Sequence, residues 1–377
     1  MFLNILKVLV KSSYSFSIPK KKIIIFDGEG SNPEELKKIL NFDDCFTLEV
    51  RHKNISKIYI NVKILFKFLF FLIKKREKIS IAYFCALVCS INPKLILTRN
   101  DNLLYFSEVS KILYKDYNFF AIQKSARYEY GEPFYKKENL KKVFIPELAS
   151  FGDYEKDLSQ KYNLDVKKFY VSGSMRLACY QEELKKNDNN QEEFDICLID
   201  EASEGWDKLY QGFEAAIGNL AEFTFKYAMK NKKKLVFAGK RPDLKNFEIA
   251  NRFYKRFINS EFDLKINTGW SSYNYINRSQ VTIGVVSTLL REALGLKKKI
   301  LSCNFTGHKA WDFPVTGLCQ LNEKNFQKFE DRLNEIFSYD FESFEKKLSK
   351  KVSYVMHTDK YLSTNQLLKK RISNLIE

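Results

Sequence analysis

Apolar and polar positions alternate between strand-like and helix-like spacing along almost the whole chain. Ile23 to Phe26 is an unbroken apolar run, the pattern of a strand buried on both faces of a parallel sheet. A turn at Asp27 to Gly30 follows, and Ser31 to Glu35 opens a helix with a cap residue, a first-turn proline and first-turn acids. Further strands are predicted at Phe46–Val50, Lys94–Thr98, Asn118–Gln123, Phe144–Ser150 and Lys168–Ser172, with helices at Ile79–Ile91 and Ser107–Leu113 between them. The second half repeats the scheme, with strands at Phe194–Ile199, Lys234–Ala238 and Ser279–Val285. Its long helix, Gln211–Asn231, carries Phe213, Ile217, Leu220 and Tyr227 on one stripe, with Thr224 as the polar member. Phe247–Phe257 is a further helix, and the stretch from Glu323 to Glu377 reads as largely helical.

This alternation predicts an α/β protein with parallel sheets. Between the halves, Glu182 to Glu193 is polar and has no apolar period, so the domain boundary is placed there. The expected organisation is a Rossmann-like domain over 1–185, a second over 186–350, and a C-terminal helix over 351–377 that crosses back. No internal repeat is visible.

Composition narrows the partners. The chain has 377 residues, enough for two cores, and 45% hydrophobic with 29% charged residues is globular composition. A net charge of +17 favours anionic partners such as nucleotides, phospholipid head groups or acidic glycans. No RNP motif, helix-turn-helix spacing or zinc knuckle accompanies the charge, so nucleic acid is not an expected partner. The seven cysteines lie mostly in apolar runs and read as reduced, buried thiols. Cys85 and Cys89 share a helix face, but no second Cys or His pair completes a metal site, and no metal is expected. Met1 to Val10 is short, interrupted by Lys7 and without a cleavage site, so no secretory leader is predicted. Ile64 to Ile73 is the most hydrophobic window. It is too short to span a bilayer, which needs about 20 apolar residues. Flanking lysines leave two compatible readings, a core helix and a basic helix lying in a membrane interface. The expected location is the cytoplasm, with peripheral contact at the inner membrane face.

Candidate chemistry concentrates between Gly284 and Leu301. An apolar strand there leads into Ser287-Thr288 at a helix start, Glu292 one turn further on, Gly295 at the helix end and a second strand. Two hydroxyls and the first N–H groups of a helix can hold a phosphate, and Glu292 can accept hydrogen bonds from a ribose. A plain capped strand–helix–strand unit fits the same residues. Gly239-Lys240-Arg241 places two cations after a strand, where a phosphate or only solvent would meet them. His308, in the loop after the next strand, faces the same rim and is a candidate for donor contact.

The acceptor side is assigned to Gly28, Gly30, Asp101, Gln123 and Arg127, all in loops after first-half strands. Gly28-x-Gly30 lacks the third glycine of a dinucleotide fingerprint, because position 33 is proline. There is no Walker motif. Strand-end carboxylates are Asp27, Glu29, Asp101, Asp153, Asp200 and Glu201; Asp101, between two asparagines, reads as an Asx-turn. Glu29 or Asp27 is the candidate base for an acceptor hydroxyl.

The Gly284–Leu301 run resembles the donor-binding segment of GT-B glycosyltransferases and the related nucleotide-sugar epimerases, in which a Ser-Ser or Ser-Thr pair holds phosphate and a following Glu holds the nucleoside sugar. Four other segments resemble bacterial surface-carbohydrate biosynthesis proteins, in order: Asn92 to Asn102, Ala121 to Arg127, Phe151 to Tyr154, and Val171 to Arg176. Lys124-Ser125 departs from the Asn-Gly of the second pattern. Together they cover most of residues 20 to 310. The resemblance implies a metal-independent GT-B glycosyltransferase without a bound cofactor, moving a sugar from a nucleotide-activated donor to lipopolysaccharide, capsule or a lipid-linked precursor. CMP- and UDP-linked donors both fit. Three other readings stay open: a nucleotide-sugar 2-epimerase, a polyol-phosphate transferase, and a non-catalytic scaffold binding membrane or glycan.

Overall fold

The structure is a computed structural model. It describes residues 8–28, 33–51, 55–128, 143–162, 164–186, 192–202, 205, 207, 211–239, 244–259, 261–262, 264 and 268–377. The strands are β1 (Ser13–Ser15), β2 (Ile23–Phe26), β3 (Cys45–Leu48), β4 (Lys57–Tyr59), β5 (Leu95–Thr98), β6 (Asn118–Ile122), β7 (Val143–Ser150) and β8 (Leu164–Val171) in the first half. In the second half they are β9 (Phe194–Ile199), β10 (Leu235–Ala238), β11 (Ser279–Gly284), β12 (Lys299–Cys303) and β13 (Gln320–Leu321). The helices that matter below are α1 (Val62–Leu69), α2 (Ile79–Ile91), α3 (Tyr154–Lys161), α4 (Met175–Leu184), α5 (Phe213–Lys230), α6 (Ser271–Asn277), α7 (Thr288–Gly295) and α8 (Thr364–Ile376).

Two parallel sheets carry the fold. The first runs β3-β2-β5-β6-β7-β8 and the second β10-β9-β11-β12-β13, and every named pair in both is parallel. Their central strands are apolar throughout because both faces are covered: Ile23, Ile24, Ile25 and Phe26 are all buried, as are Leu95 to Leu97. A separate two-stranded ribbon pairs β1 with β4. This is the GT-B architecture of two Rossmann-like sheets.

Local signals explain where elements stop. Nine of the thirteen residues of α2 are buried, and it ends at Asn92 in the left-handed region (φ 57) ahead of Pro93. On α5, buried Thr224 satisfies its hydroxyl within the helix by donating to the Leu220 carbonyl at 2.7 Å. The polar stretch at 182–193 begins in the last turn of α4, which runs through Leu184 and where Asn365 of α8 donates to Glu182 at 2.7 Å.

The C-terminal segment joins both halves. Leu368 and Ile372 of α8 pack with Ile23, Ile25, Leu95 and Leu97 on one face of the first sheet, while Val352 and Val355 belong to the core of the second. Arg371 closes a two-pronged pair on Glu147 of β7, both contacts 2.6 Å. Glycine is required where this return crosses the first half. A Cβ at Gly152 would lie 2.3 Å from the Tyr354 carbonyl oxygen, and Gly173 (φ +88) has the His357 carbonyl at the same distance. No helix among the described residues is long and apolar enough to cross a membrane.

Candidate functional site

Each sheet reverses its strand order once. The chain starts at β2, moves outward to β3 and then crosses to β5 on the other side; the second half does the same with β9, β10 and β11. In open parallel sheets the ligand crevice lies beyond the carboxyl ends of the strands at such a reversal. The residues there are Asp27 and Asn100 in the first sheet, Glu201 and Val285 to Thr288 in the second.

Asp27 is fully buried with φ 62, an uncommon conformation for a non-glycine residue. Arg51 Nε donates to its Oδ1 at 3.0 Å, and Oδ2 accepts from Arg51 Nη2 and Asn100 Nδ2, both at 2.9 Å. Asp27 therefore ties two strand ends together, and acting as a base would require it to exchange these partners. Gly28 passes so close to β3 that an added Cβ would lie 2.0 Å from Thr47 Cγ2. Glu29 and Gly30 lie outside the described residues.

The three remaining acceptor-side residues link the loops after β5 and β6. Asp101 does not close an Asx-turn: its carboxylate accepts from the Lys124 N–H at 3.2 Å and pairs with Arg127 at 3.0 and 2.5 Å. The long-range pair is available because the loop after β6 folds back over the end of β5. Buried Gln123 donates to Glu155 at 3.0 Å and accepts from the Phe151 N–H at 2.7 Å. The loop after β6 meets the second half directly, where the Ala126 N–H donates to Thr288 Oγ1 at 2.9 Å.

Ser287 caps α7 with extended backbone, its Oγ accepting from the Leu289 N–H at 3.2 Å, and both Ser287 and Thr288 are half-buried. One turn along the helix, two charged side chains face the first half. Arg291 is fully buried; it donates to Glu155 Oε1 at 2.6 Å and to the Arg127 carbonyl at 2.8 Å, with its guanidinium over the rings of Tyr154 and Tyr128. Glu292 is 2% exposed and accepts from Ser174 Oγ at 2.6 Å and Tyr273 OH at 2.7 Å. Arg176 lies over the rings of Trp270 and Tyr273 in the same cluster. Below α7, Glu201 accepts the Val285 and Val286 N–H groups at 2.5 and 2.9 Å, which fixes the turn that presents Ser287.

Burial raises the Glu292 carboxyl above its usual 4.5, against the lowering effect of the Ser174 and Tyr273 hydrogen bonds. The folded state thus holds this proton at a pH where the unfolded chain has lost it. The stability from this group is present below pH 4.5 and declines as pH rises through the folded value. Relative to a Glu292→Gln variant, the melting temperature of the native protein should fall as pH rises above 4.5. A difference that stays constant with pH would contradict this.

The remaining donor-side candidates are more scattered. Gly239 is buried and its carbonyl accepts from Ser272 Oγ at 2.6 Å; Lys240 and Arg241 lie outside the described residues. His308 is exposed on a loop organised by Asn304, which accepts from Thr306 and donates to the His308 carbonyl and Asp312. Among the described residues no group of three or more His, Cys, Asp or Glu is placed to hold a metal ion. Sequence reasoning placed Ser174 in the Val171–Arg176 segment without a role, and did not single out Tyr273, Glu155 or Arg291. Two adjacent charges at Arg291-Glu292 inside an otherwise apolar helix were the available signal.

No family model matches the chain, and no curated protein sequence matches it. Solved structures do. A Listeria monocytogenes protein assigned as a UDP-N-acetylglucosamine 2-epimerase aligns over 94% of this chain and 96% of its own, with TM-score 0.54 and 12% identity. The Methanocaldococcus jannaschii UDP-GlcNAc 2-epimerase, solved with UDP-GlcNAc and UDP, aligns over 94% and 98% with TM-score 0.50 and 12% identity. Anabaena HepE, solved with UDP and glucose, aligns over 94% and 99% with TM-score 0.50 and 11% identity. At these identities the likeness is one of fold, and it extends over 94% of the chain.

Proposed function

We propose that this protein is a metal-independent glycosyltransferase that takes a nucleotide-activated sugar as donor and a surface glycan or its lipid-linked precursor as acceptor. The observation that carries the reading is the position of Ser287, Thr288 and Glu292. They stand at the N-terminal turns of α7, at the strand reversal of the second sheet, with the loop of Lys124 to Arg127 from the first half against them. The hydroxyls and first N–H groups suit a phosphate, and Glu292 suits a ribose. Two of the structures of like fold were solved with uridine nucleotides, which supports a nucleotide-linked donor. The charge of +17 favours the anionic donor.

A transferase is favoured over a 2-epimerase by the state of three strand-end carboxylates. Among the described residues Asp27, Asp101 and Glu201 are each held by two or more donors, so none of these three is poised to move a proton to and from a sugar carbon. Because Asp27 is engaged with Arg51, we assign the acceptor base to Glu29, two residues further along the chain. The two readings part at the nucleotide. Transfer or its hydrolytic side reaction releases free nucleotide, whereas epimerisation returns an intact nucleotide-sugar. Incubation with CMP-, CDP-, UDP-, GDP- and dTDP-sugars in EDTA should release nucleotide from one class, and Glu29→Gln should abolish release. An intact, epimerised nucleotide-sugar would overturn the transferase reading.

A further inference from the structure

The helix Val62–Leu69 continues as a π-helical turn, Phe70–Lys74, and has an apolar surface on both sides. Its inner side, with Ile64 and Phe71 buried, packs against α2 in the core of the first half. Among the described residues its outer side has no packing partner. Val62, Leu65, Phe66, Leu69, Phe70 and Ile73 are between 41% and 71% exposed, and their spacing is that of one continuous helical stripe. A globular protein rarely leaves such a contiguous apolar surface in water without a partner for it. The stripe borders a second apolar feature, a groove of about 470 Å³ that Leu65 shares with Leu9, Ile60 and Ile79, all themselves exposed.

Charge decides between the partners that could cover it. From Lys57 to Ile79 the chain carries seven cations and one carboxylate, Glu77. Lys74, Lys75 and Arg76 are exposed at the end of the stripe, and the Lys74 ammonium lies 5.5 Å from the centre of the Phe70 ring. A second copy of the chain meeting this face by two-fold symmetry would set that cationic edge close to its own image. An anionic bilayer surface neutralises it while taking up the apolar side chains. The element is about 20 Å long at the usual helical rise, suited to lying in the interface and too short to cross the hydrocarbon.

We propose that Val62 to Arg76 is a membrane-docking element that lies in the head-group region of an anionic phospholipid bilayer, apolar stripe inward and cationic edge toward lipid phosphate. The groove also reaches toward the cleft: Val50 lines it, and the next residue, Arg51, holds Asp27. Docking would thus bring an acceptor anchored in the bilayer to the first-half rim. That use rests on the glycosyltransferase reading; docking does not.

The test is co-sedimentation of the full chain with phosphatidylcholine vesicles containing or lacking phosphatidylglycerol. Binding should require the anionic lipid, weaken with salt, and fall by at least about tenfold in a Phe66→Glu/Ile73→Glu variant. Both substituted residues are about 70% exposed, so an unchanged melting temperature and unchanged nucleotide binding confirm that the variant is folded. Equal sedimentation of the variant and the native protein would overturn the proposal. So would equal binding to neutral vesicles, or a salt-resistant dimer that ignores vesicles.

Discussion

An Arg291→Met variant should be destabilised by about 3–5 kcal/mol, the largest effect expected of any single substitution at the junction of the two halves. The guanidinium is fully buried, and its two hydrogen bonds run from the second half to Glu155 and the Arg127 carbonyl in the first. Methionine matches much of its volume, so little of the loss comes from packing. What remains is the Glu155 carboxylate, 3% exposed, with Gln123 and the Gly152 N–H as neutral donors and no countercharge supplied by α7. Removing both charges should recover part of the loss, because a buried pair is worth far less than the penalty of breaking it. Denaturant unfolding of Arg291→Met, Glu155→Gln and the double variant checks this. A single-variant loss below about 1 kcal/mol, with no coupling between the two, would mean that the pair does not hold the halves together.

The second large effect is expected at Glu292. Substitution by alanine should weaken nucleotide binding by roughly ten- to a hundredfold, the range for losing a hydrogen bond to a charged group. In the structure the carboxylate is engaged by Ser174 and Tyr273, so a ribose hydroxyl would take one of those places or be added to them. That gives a control. Tyr273→Phe removes a donor but leaves the carboxylate, and should disturb stability more than nucleotide affinity. If Glu292→Ala and Tyr273→Phe both lower the melting temperature while binding stays unchanged in each, Glu292 is a structural residue of the junction.

How much of this was readable in the chain depends on the range of the interaction. The buried strands announced themselves, since Ile23 to Phe26 or Leu95 to Leu97 can be apolar without interruption only when both sheet faces are covered. The start of α7 was equally plain, because a serine cap acts on residues two positions away. Pairings across long stretches of chain were not legible. Arg291 and Glu155 are 136 residues apart, and Ser174 and Glu292 are 118 apart; nothing local to any of them names the partner. The same limit explains Asp101, whose asparagine neighbours suggested a local turn while its true partner, Arg127, sits at the end of another strand. Glu182 is a related case, since the partner that meets its helical turn, Asn365, comes from the far end of the chain. The apolar window at Ile64 to Ile73 supported two readings: a face packed into the core meets the first, and the exposed face leaves the second to the vesicle test.

The central claim is that the rim at Ser287, Thr288 and Glu292 holds a nucleotide. Its most direct test is the melting temperature of the purified chain with CMP, CDP, UDP, GDP and dTDP, each in EDTA and in Mg²⁺. A ligand that binds only the folded state adds about 2.7 kcal/mol at a hundred times its dissociation constant, a readily measured shift. The expected result is that one base raises the melting temperature equally with and without the metal, and that Glu292→Ala cuts the shift to about half or less. No shift with any of the five nucleotides, or one that survives Glu292→Ala unchanged, would contradict the claim.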